Sequence, residues 1–318
     1  MFDRRHHDSK LRLHDPLSRT IGKIRRAAAG RSLRDCRHGT PPESSILSAD
    51  CSSGSRLIDS ISILGSGWLG RPLAERFAAR GYRVRTSTRS ADRLQALAAI
   101  PSEPCLVDIG DITDEIDAFL DSETLIVNIT SKDIDSFRRL VGKIEDSTIE
   151  SVLFVSSTSV YPLDSGAVTE ADGAESPDHP LFIIENLFRQ SREFRTTVVR
   201  FAGLIGPGRH PGRFFRGNKT VRNADACVNL IHLDDCVGII ERIVGGGVWG
   251  ETFNACADTH PSKREFYTQA ARLAGAPVPV FEDGNGSFKL IDNSKLKQVL
   301  GYSFRYPDLM AIRFEESD

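Results

Sequence analysis

Residues 61–70 read ISILGSGWLG, an apolar stretch that runs directly into the glycine-rich segment 65–70. The next ten residues, RPLAERFAAR, carry apolar side chains at helical spacing, Gly81 follows as a helix stop, and residues 82–88 alternate like a second strand. A glycine loop between a strand and a helix is typical of a dinucleotide-binding βαβ unit. The first glycine permits a tight turn, the second lets a pyrophosphate approach the backbone, and the third lets the helix pack closely on the strand. We therefore predict a cofactor loop formed by Gly65, Ser66, Gly67, Trp68, Leu69 and Gly70.

The end of the second predicted strand indicates which dinucleotide is preferred. An NAD site usually places a carboxylate there to hold the ribose 2′-hydroxyl. This chain instead has Thr88, Arg89 and Ser90, and no carboxylate before Asp92. Because a guanidinium pairs with phosphate in a bidentate fork, this segment favours the 2′-phosphate of NADP(H). The alternative is that Arg89 simply ends a surface strand.

Apolar strands alternate with amphipathic helices through the first half of the chain. Further strands are predicted at residues 104–107, 124–129, 152–155 and 197–200, with helices at 135–144 and 181–192. This alternation predicts an α/β fold, a Rossmann-type doubly wound parallel sheet over residues 59–200. Residues 201–318 are expected to form a small C-terminal substrate lobe. Ligands of such sheets bind at the carboxyl ends of the strands, which adds Thr130 to the cofactor site.

The composition excludes several classes of protein. Charged residues make up 26% of the chain and the formal net charge is −2, which argues against general affinity for nucleic acid or membranes. No apolar run is long enough to span a bilayer. The six cysteines contain no CxxC pair, which argues against a zinc site and a disulfide framework and favours a reducing compartment, the cytoplasm.

Residues 1–58 differ from the rest of the chain. They are rich in Arg, His and Ser, and they lack long apolar periodicity. Three interpretations remain open: a disordered basic extension, an organelle-targeting presequence (against which the several aspartates count), or a start site assigned too early. The last is considered because Met1 and Met310 are the only methionines and Leu57 could be read from a non-AUG codon.

Several segments together resemble the extended short-chain dehydrogenases/reductases of the NAD-dependent epimerase/dehydratase type. Within that superfamily the chain is most similar to the YeeZ-like branch, whose activity is poorly defined. The resemblance covers about residues 59–310 and implies a Rossmann fold that binds NAD(P). Its segments are FVSSTSVYP (154–162), RFAGLIGPGRHPGRFF (200–215), VNLIHLDDCVGII (228–240), FNAC (253–256), FYTQAARLAG (266–275) and KLIDNSKL (289–296).

The catalytic motif of that superfamily, Tyr-x-x-x-Lys, is absent. None of the five tyrosines has a lysine four residues later. Alignment on Glu185 puts Asp178 and Phe182 in the Tyr and Lys positions. The resemblance leaves Thr158 as a hydroxyl that could polarise a carbonyl. It leaves Tyr161 as a proton donor or, more simply, a wall of the pocket.

Residues 206–213 form a second informative loop, GPGRHPGR. Its glycines and prolines fix an irregular backbone, and its cations suit a phosphate or carboxylate. We predict substrate-binding roles for Arg209, His210 and Arg213, the alternative being a solvated surface loop. The short C-terminal lobe favours a small anionic substrate.

Two functions remain open from the sequence. The first is an NADP(H)-dependent oxidoreductase or epimerase with an atypical site, which acts on a small anionic or sugar-type substrate. The second is a sensor or regulatory protein that binds NADP(H) and catalyses little. Helices that flank such a sheet often pair between subunits, so a homodimer is one assembly that this fold allows.

Overall fold

The computed structural model describes residues 60–215, 219–284 and 286–314. The predictions for residues 1–58 lie outside these ranges. The described residues form strands β1 Ser60–Leu64, β2 Arg83–Thr88, β3 Glu103–Leu106, β4 Thr124–Val127, β5 Ser151–Ser157, β6 Gly166–Val168, β7 Arg195–Phe201, β8 Gly203–Ile205, β9 Val221–Arg222, β10 Leu230–His232, β11 Thr252–Ala255, β12 Phe281–Glu282 and β13 Lys289–Ile291. Their helices are α1 Gly70–Ala79, α2 Leu94–Leu97, α3 Glu115–Leu120, α4 Ile134–Glu145, α5 Pro180–Gln190, α6 Leu233–Gly246, α7 Lys263–Leu273 and α8 Ser294–Leu300.

A seven-stranded sheet in the order β11-β7-β5-β4-β1-β2-β3 organises the fold. All of its neighbouring strands run parallel. Its central strands are buried on both faces, as in β4, where all four residues are buried. This confirms the predicted Rossmann-type sheet, whose strand order reverses on either side of β1. The carboxyl ends of β1 and β4 therefore meet at the crevice where such sheets bind ligands.

Residue 200 does not mark the end of the sheet. The edge strand β11 comes from residues 252–255 and pairs with β7, while α6 packs against α1. The chain therefore leaves the sheet after β7, forms β8 to β10 and α6, and returns to the sheet at β11. A second, smaller apolar cluster does lie in the later part of the chain: Ile205, Val228, Leu230, Ala257, Phe266, Leu309 and Ile312.

Three short parallel strand pairs lie outside the main sheet. They join β8 to β10, β9 to β12, and β6 to β13. The last pair matters for the site, because it brings residues 289–291 next to the loop that follows β5. Asn229 supports this arrangement: its Nδ2 donates to the Lys289 carbonyl (2.8 Å), and its Oδ1 accepts from the Ile291 amide (3.0 Å).

Candidate functional site

The glycine loop has the geometry that the sequence predicts. Gly65 has φ of +102°, a region that favours glycine, and its amide donates to Ser87 Oγ over 2.9 Å. A Cβ on Gly70 would lie 1.9 Å from the Gly65 carbonyl oxygen, so only glycine lets α1 start so close to β1. Asn128 Nδ2, at the end of β4, donates to the same carbonyl over 3.3 Å.

Gly67 faces open space. A Cβ at this position would meet no heavy atom within 4 Å. Helix α1, which follows, has no capping side chain and no acidic residue in its first turn. An open glycine before an uncapped helix start fits the pyrophosphate of a dinucleotide, since the helix dipole and free amides favour negative charge there.

The polar residues at the end of β2 and just after it differ in their contacts and in their exposure. Ser87 supports the glycine loop through its hydroxyl and through its carbonyl, which accepts from the Ser66 amide over 3.2 Å. Thr88 and Ser90 are half-buried, and Arg89 is exposed. Among the residues that the structure describes, no carboxylate forms an ion pair with Arg89. Thr130 is exposed beyond the end of β4, at the same edge of the sheet.

Thr158 begins a short 3₁₀ turn directly after β5 and is 6% exposed. The ammonium of Lys289 lies beside it, and donates to the carbonyl oxygens of Thr158 and Tyr161, each over 2.9 Å. Burial lowers the pKa of this lysine. Sequence reasoning assigned Lys289 no role, although it is the first residue of the KLIDNSKL segment.

Tyr161 differs from the expectation that it faces the pocket. It is 1% exposed, its hydroxyl donates to Asn254 Oδ1 over 3.0 Å, and it accepts from Arg200 Nη1 over 2.6 Å. Burial raises the pKa of its phenol. The physical reason is that Arg200 and Asn254, on the neighbouring strands β7 and β11, draw the ring inward. The structure therefore does not support Tyr161 as a proton donor.

Arg200 is the centre of this buried network. It is 1% exposed, and its guanidinium binds Glu185 through Nη2 over 2.6 Å and also binds Glu175. Ser156 donates to Glu185 over 2.6 Å. The guanidinium bonds to acceptors through all three of its nitrogens, so this buried network holds α5 to β5 and β7.

The loop of residues 206–213 contacts the glycine loop. Trp68 Nε1 donates to the Pro207 carbonyl over 2.6 Å, and the Arg209 guanidinium sits 4.4 Å from the Trp68 ring centroid. Arg209 is therefore placed near the predicted cofactor loop. Arg213 is exposed.

Three histidines begin helical segments in the same way. In each, Nδ1 accepts from the amide two residues later: His179 from Leu181 (3.3 Å), His210 from Gly212 (3.0 Å) and His232 from Asp234 (3.2 Å). His210 also packs its ring 4.6 Å from that of Phe314. The predicted substrate residue His210 is thus occupied at Nδ1 by a structural bond.

Within the part of the chain that the structure describes, no helix is long and apolar enough to cross a membrane. The same residues contain no group of three or more His, Cys, Asp or Glu side chains arranged to hold a metal ion.

The parallel sheet and the glycine loop define the class of protein, a Rossmann-fold chain with a glycine loop of the dinucleotide-binding type. More narrowly, the chain belongs to the family of Protein YeeZ from Escherichia coli strain K12. The two are 34% identical over 275 residues, which cover 80% of this chain and 99% of that protein. No model of a known protein family matches the chain.

Solved structures share the fold at lower identity. A UDP-glucuronic acid 4-epimerase from Bacillus cereus, in complex with UDP-glucuronic acid and NAD, has a TM-score of 0.66 at 17% identity and covers 79% of this chain and 95% of its own. A short-chain dehydrogenase/reductase superfamily protein from Agrobacterium tumefaciens with bound NAD has a TM-score of 0.65 at 18% identity and covers 77% and 92%. These similarities establish the fold.

Proposed function

We propose that this chain binds NADP(H) and is an oxidoreductase or epimerase that acts on a small anionic or sugar-type substrate. One observation carries the proposal: the open Gly67 position lies in a loop bonded to β2, and the exposed cation Arg89 directly follows β2. The loop suits a pyrophosphate and the cation suits a 2′-phosphate. Two structural neighbours of this fold were solved with bound NAD, which supports the binding of a dinucleotide.

Each residue then has a defined task. Gly65 and Gly70 allow the tight geometry of the glycine loop, Gly67 leaves room for the pyrophosphate, and Arg89 pairs with the 2′-phosphate. A bound nicotinamide would supply or accept the hydride. Thr158, at the carboxyl end of β5, donates a hydrogen bond to the substrate oxygen on which negative charge develops. Arg209 lies over the glycine loop and contributes positive charge there.

A second candidate function is an NADP(H) sensor that catalyses little. The engagement of Tyr161 with Arg200 and Asn254 favours it, because these bonds withdraw the Tyr161 hydroxyl from proton transfer. Both functions need the cofactor, and only the first needs Thr158.

Calorimetric titration of the full chain with NADPH tests the cofactor that the two functions share. One equivalent bound per chain is expected, and the absence of binding would reject both functions. Turnover then separates them: NADPH oxidation is followed in the presence of carbonyl and sugar-nucleotide substrates. Turnover that Thr158→Ala abolishes supports the enzyme, whereas tight binding without turnover supports the sensor.

A further inference from the structure

A cavity of about 130 Å³ lies between α7, the short turn of residues 211–213 and the segment 276–280. Tyr267 and Ala271 line it from α7, and the first two residues of the turn line it from the other side. Of the described residues that line the cavity, none belongs to the glycine loop, to the end of β2 or to the turn after β5. The cavity is therefore distinct from the glycine loop and from the surroundings of Thr158.

The walls of this cavity are held by the backbone. A Cβ on Gly212 would lie 2.1 Å from the Ala270 carbonyl oxygen, so the turn packs against α7 as closely as glycine allows. The segment 276–280 is held at both ends: its first amide donates to the Ala271 carbonyl over 2.9 Å, and its last carbonyl accepts from the Val221 amide over 2.8 Å. Two prolines restrict the backbone between those ends. The shape of the cavity therefore does not depend on a ligand.

The lining of the cavity is mostly apolar. Phe215 and Ala271 contribute carbon surface, together with the prolines and valines of the segment 276–280. Val278 is 45% exposed and Val280 is 64% exposed, so the cavity reaches the protein surface on this side. A protein cavity of about 150 Å³ holds one benzene ring. The volume and the lining therefore suit the apolar part of a small ligand, a single ring in size.

Two polar groups on the same lining have no bonding partner among the described residues. The Tyr267 ring makes edge contacts with Phe215 and Phe266, at centroid distances of 4.7 and 5.3 Å, but its hydroxyl makes no hydrogen bond. Burial raises the pKa of this phenol, so the hydroxyl stays protonated and can donate. Lys219 is exposed and forms no ion pair with a described carboxylate. A free donor and a free cation at one cavity favour a ligand with an anionic group.

We infer that this cavity binds a small aromatic anion, whose ring packs against α7 and the segment 276–280 and whose carboxylate or phosphate pairs with Lys219. The ring displaces water from the apolar lining, and the anion gains a cation that has no other partner in the described protein. The inference goes beyond the proposed function and does not rest on it, because the cavity requires no dinucleotide and lies apart from the glycine loop.

Fluorine nuclear magnetic resonance on the full chain tests this binding. The chain is titrated with para-fluorobenzoate and, separately, with para-fluorophenyl phosphate, and saturable binding of one ligand per chain is expected. The tighter of the two identifies the anionic group that the cavity prefers. Fluorobenzene, which has the ring without the anion, is expected to bind about two- to fivefold more weakly. Absence of saturable binding for both anions, or equal affinity for fluorobenzene, would overturn the inference.

Two substitutions show whether the ligand occupies this cavity. Ala276→Leu enlarges a lining side chain and is expected to weaken binding about tenfold or more, because the ring loses apolar contact. Lys219→Gln is expected to weaken it about two- to fivefold, the effect of one exposed ion pair. Lys132→Gln is the matched control, since Lys132 is also exposed, and it is expected to leave the affinity unchanged.

Thermal unfolding of each variant shows whether it is folded. If Ala276→Leu does not fold, Tyr267→Phe decides in its place, because the Tyr267 hydroxyl holds no bond in the described protein. That variant is expected to weaken binding about threefold or more, as for one lost hydrogen bond. Wild-type affinity in the cavity variant or in Lys219→Gln would overturn the inference. NADPH binding measured on the same samples reports separately on the proposed function.

Discussion

Arg200 Nη1 and the Tyr161 hydroxyl are joined by a 2.6 Å hydrogen bond beneath the carboxyl edge of the sheet. The bond links β7 to the turn after β5. It also fixes the tyrosine hydroxyl within the protein, with Asn254 on its other side. The residue that most resembles a catalytic tyrosine is therefore part of the framework of the site.

This relationship predicts separate effects on stability and on binding. Tyr161→Phe leaves Asn254 Oδ1 without its donor in a buried position, so the free energy of unfolding is expected to fall by about 1–2 kcal/mol. The affinity for NADPH is expected to stay within twofold of wild type. Urea unfolding and calorimetry measure the two. A folded, stable variant that loses turnover alone would restore Tyr161 as a chemical group.

Removal of the Arg200 guanidinium is expected to lower stability more than removal of the Tyr161 hydroxyl. Arg200→Met leaves Glu185 and Glu175 buried without their central cation, which costs about 3–5 kcal/mol for a broken buried pair. Arg189→Met is the matched control, because Arg189 bonds the same Glu185 from a more exposed position. Equal losses in the two variants would contradict a central role for Arg200.

Alanine substitutions at two positions of the glycine loop are expected to have different effects. Gly70→Ala forces a methyl group against the Gly65 carbonyl and is expected to lower stability by about 1–3 kcal/mol. Gly67→Ala meets nothing within the protein, so stability is retained while NADPH affinity falls about tenfold or more. Thermal unfolding and NADPH titration of both variants check this. Unchanged NADPH affinity in Gly67→Ala would place the pyrophosphate elsewhere.

Thr158 gives the most direct test of chemistry. Thr158→Ala is expected to reduce turnover about 100-fold or more, as for the loss of one donor to a developing oxyanion, and Thr158→Ser is expected to recover most of it. The bonds from Lys289 to the turn use backbone oxygens, so NADPH binding is expected to persist in both variants. Equal turnover in the alanine variant and the wild type would remove Thr158 from the mechanism.

Four histidines, of which His232 is buried and three are half-buried, predict a pH dependence of stability. The pKa values of His179, His210, His232 and His260 all lie below their ordinary value of 6.5, in each case chiefly because burial disfavours the charged ring. As the pH falls, these histidines take up protons at a higher pH in the unfolded chain than in the folded chain. The free energy of unfolding therefore falls as the pH drops through 6.5. Urea midpoints between about pH 7.5 and 5.5 measure the slope. A flat or rising profile on acidification would contradict these directions.

Local sequence predicts the first βαβ unit well, because its determinants are neighbours in the chain. Residues 61–70 contain the strand, the turn and the start of α1, and the glycine geometry follows from their spacing. The predicted helix over 135–144 matches α4 within one residue at each end.

Contacts between distant segments could not be predicted in this way. Lys289 reaches Thr158 across 131 positions of sequence, through the pairing of β13 with β6. Tyr161 turns inward because Arg200 and Asn254 arrive on other strands. No periodic pattern in the sequence indicates that Lys289 lies beside Thr158 or that the Tyr161 hydroxyl is hydrogen-bonded inside the protein.

In the proposed function, Arg89 binds the 2′-phosphate of NADP(H). The measurement is the ratio of NADH to NADPH dissociation constants, by calorimetry at matched ionic strength, for wild type and Arg89→Ala. Arg138→Ala, on α4 and paired with Asp135, is the control. NADPH is expected to bind the wild type more tightly than NADH does, and Arg89→Ala is expected to weaken NADPH binding about tenfold or more while NADH binding changes little. Equal affinities for the two dinucleotides in wild type, or an unchanged ratio in Arg89→Ala, would contradict it.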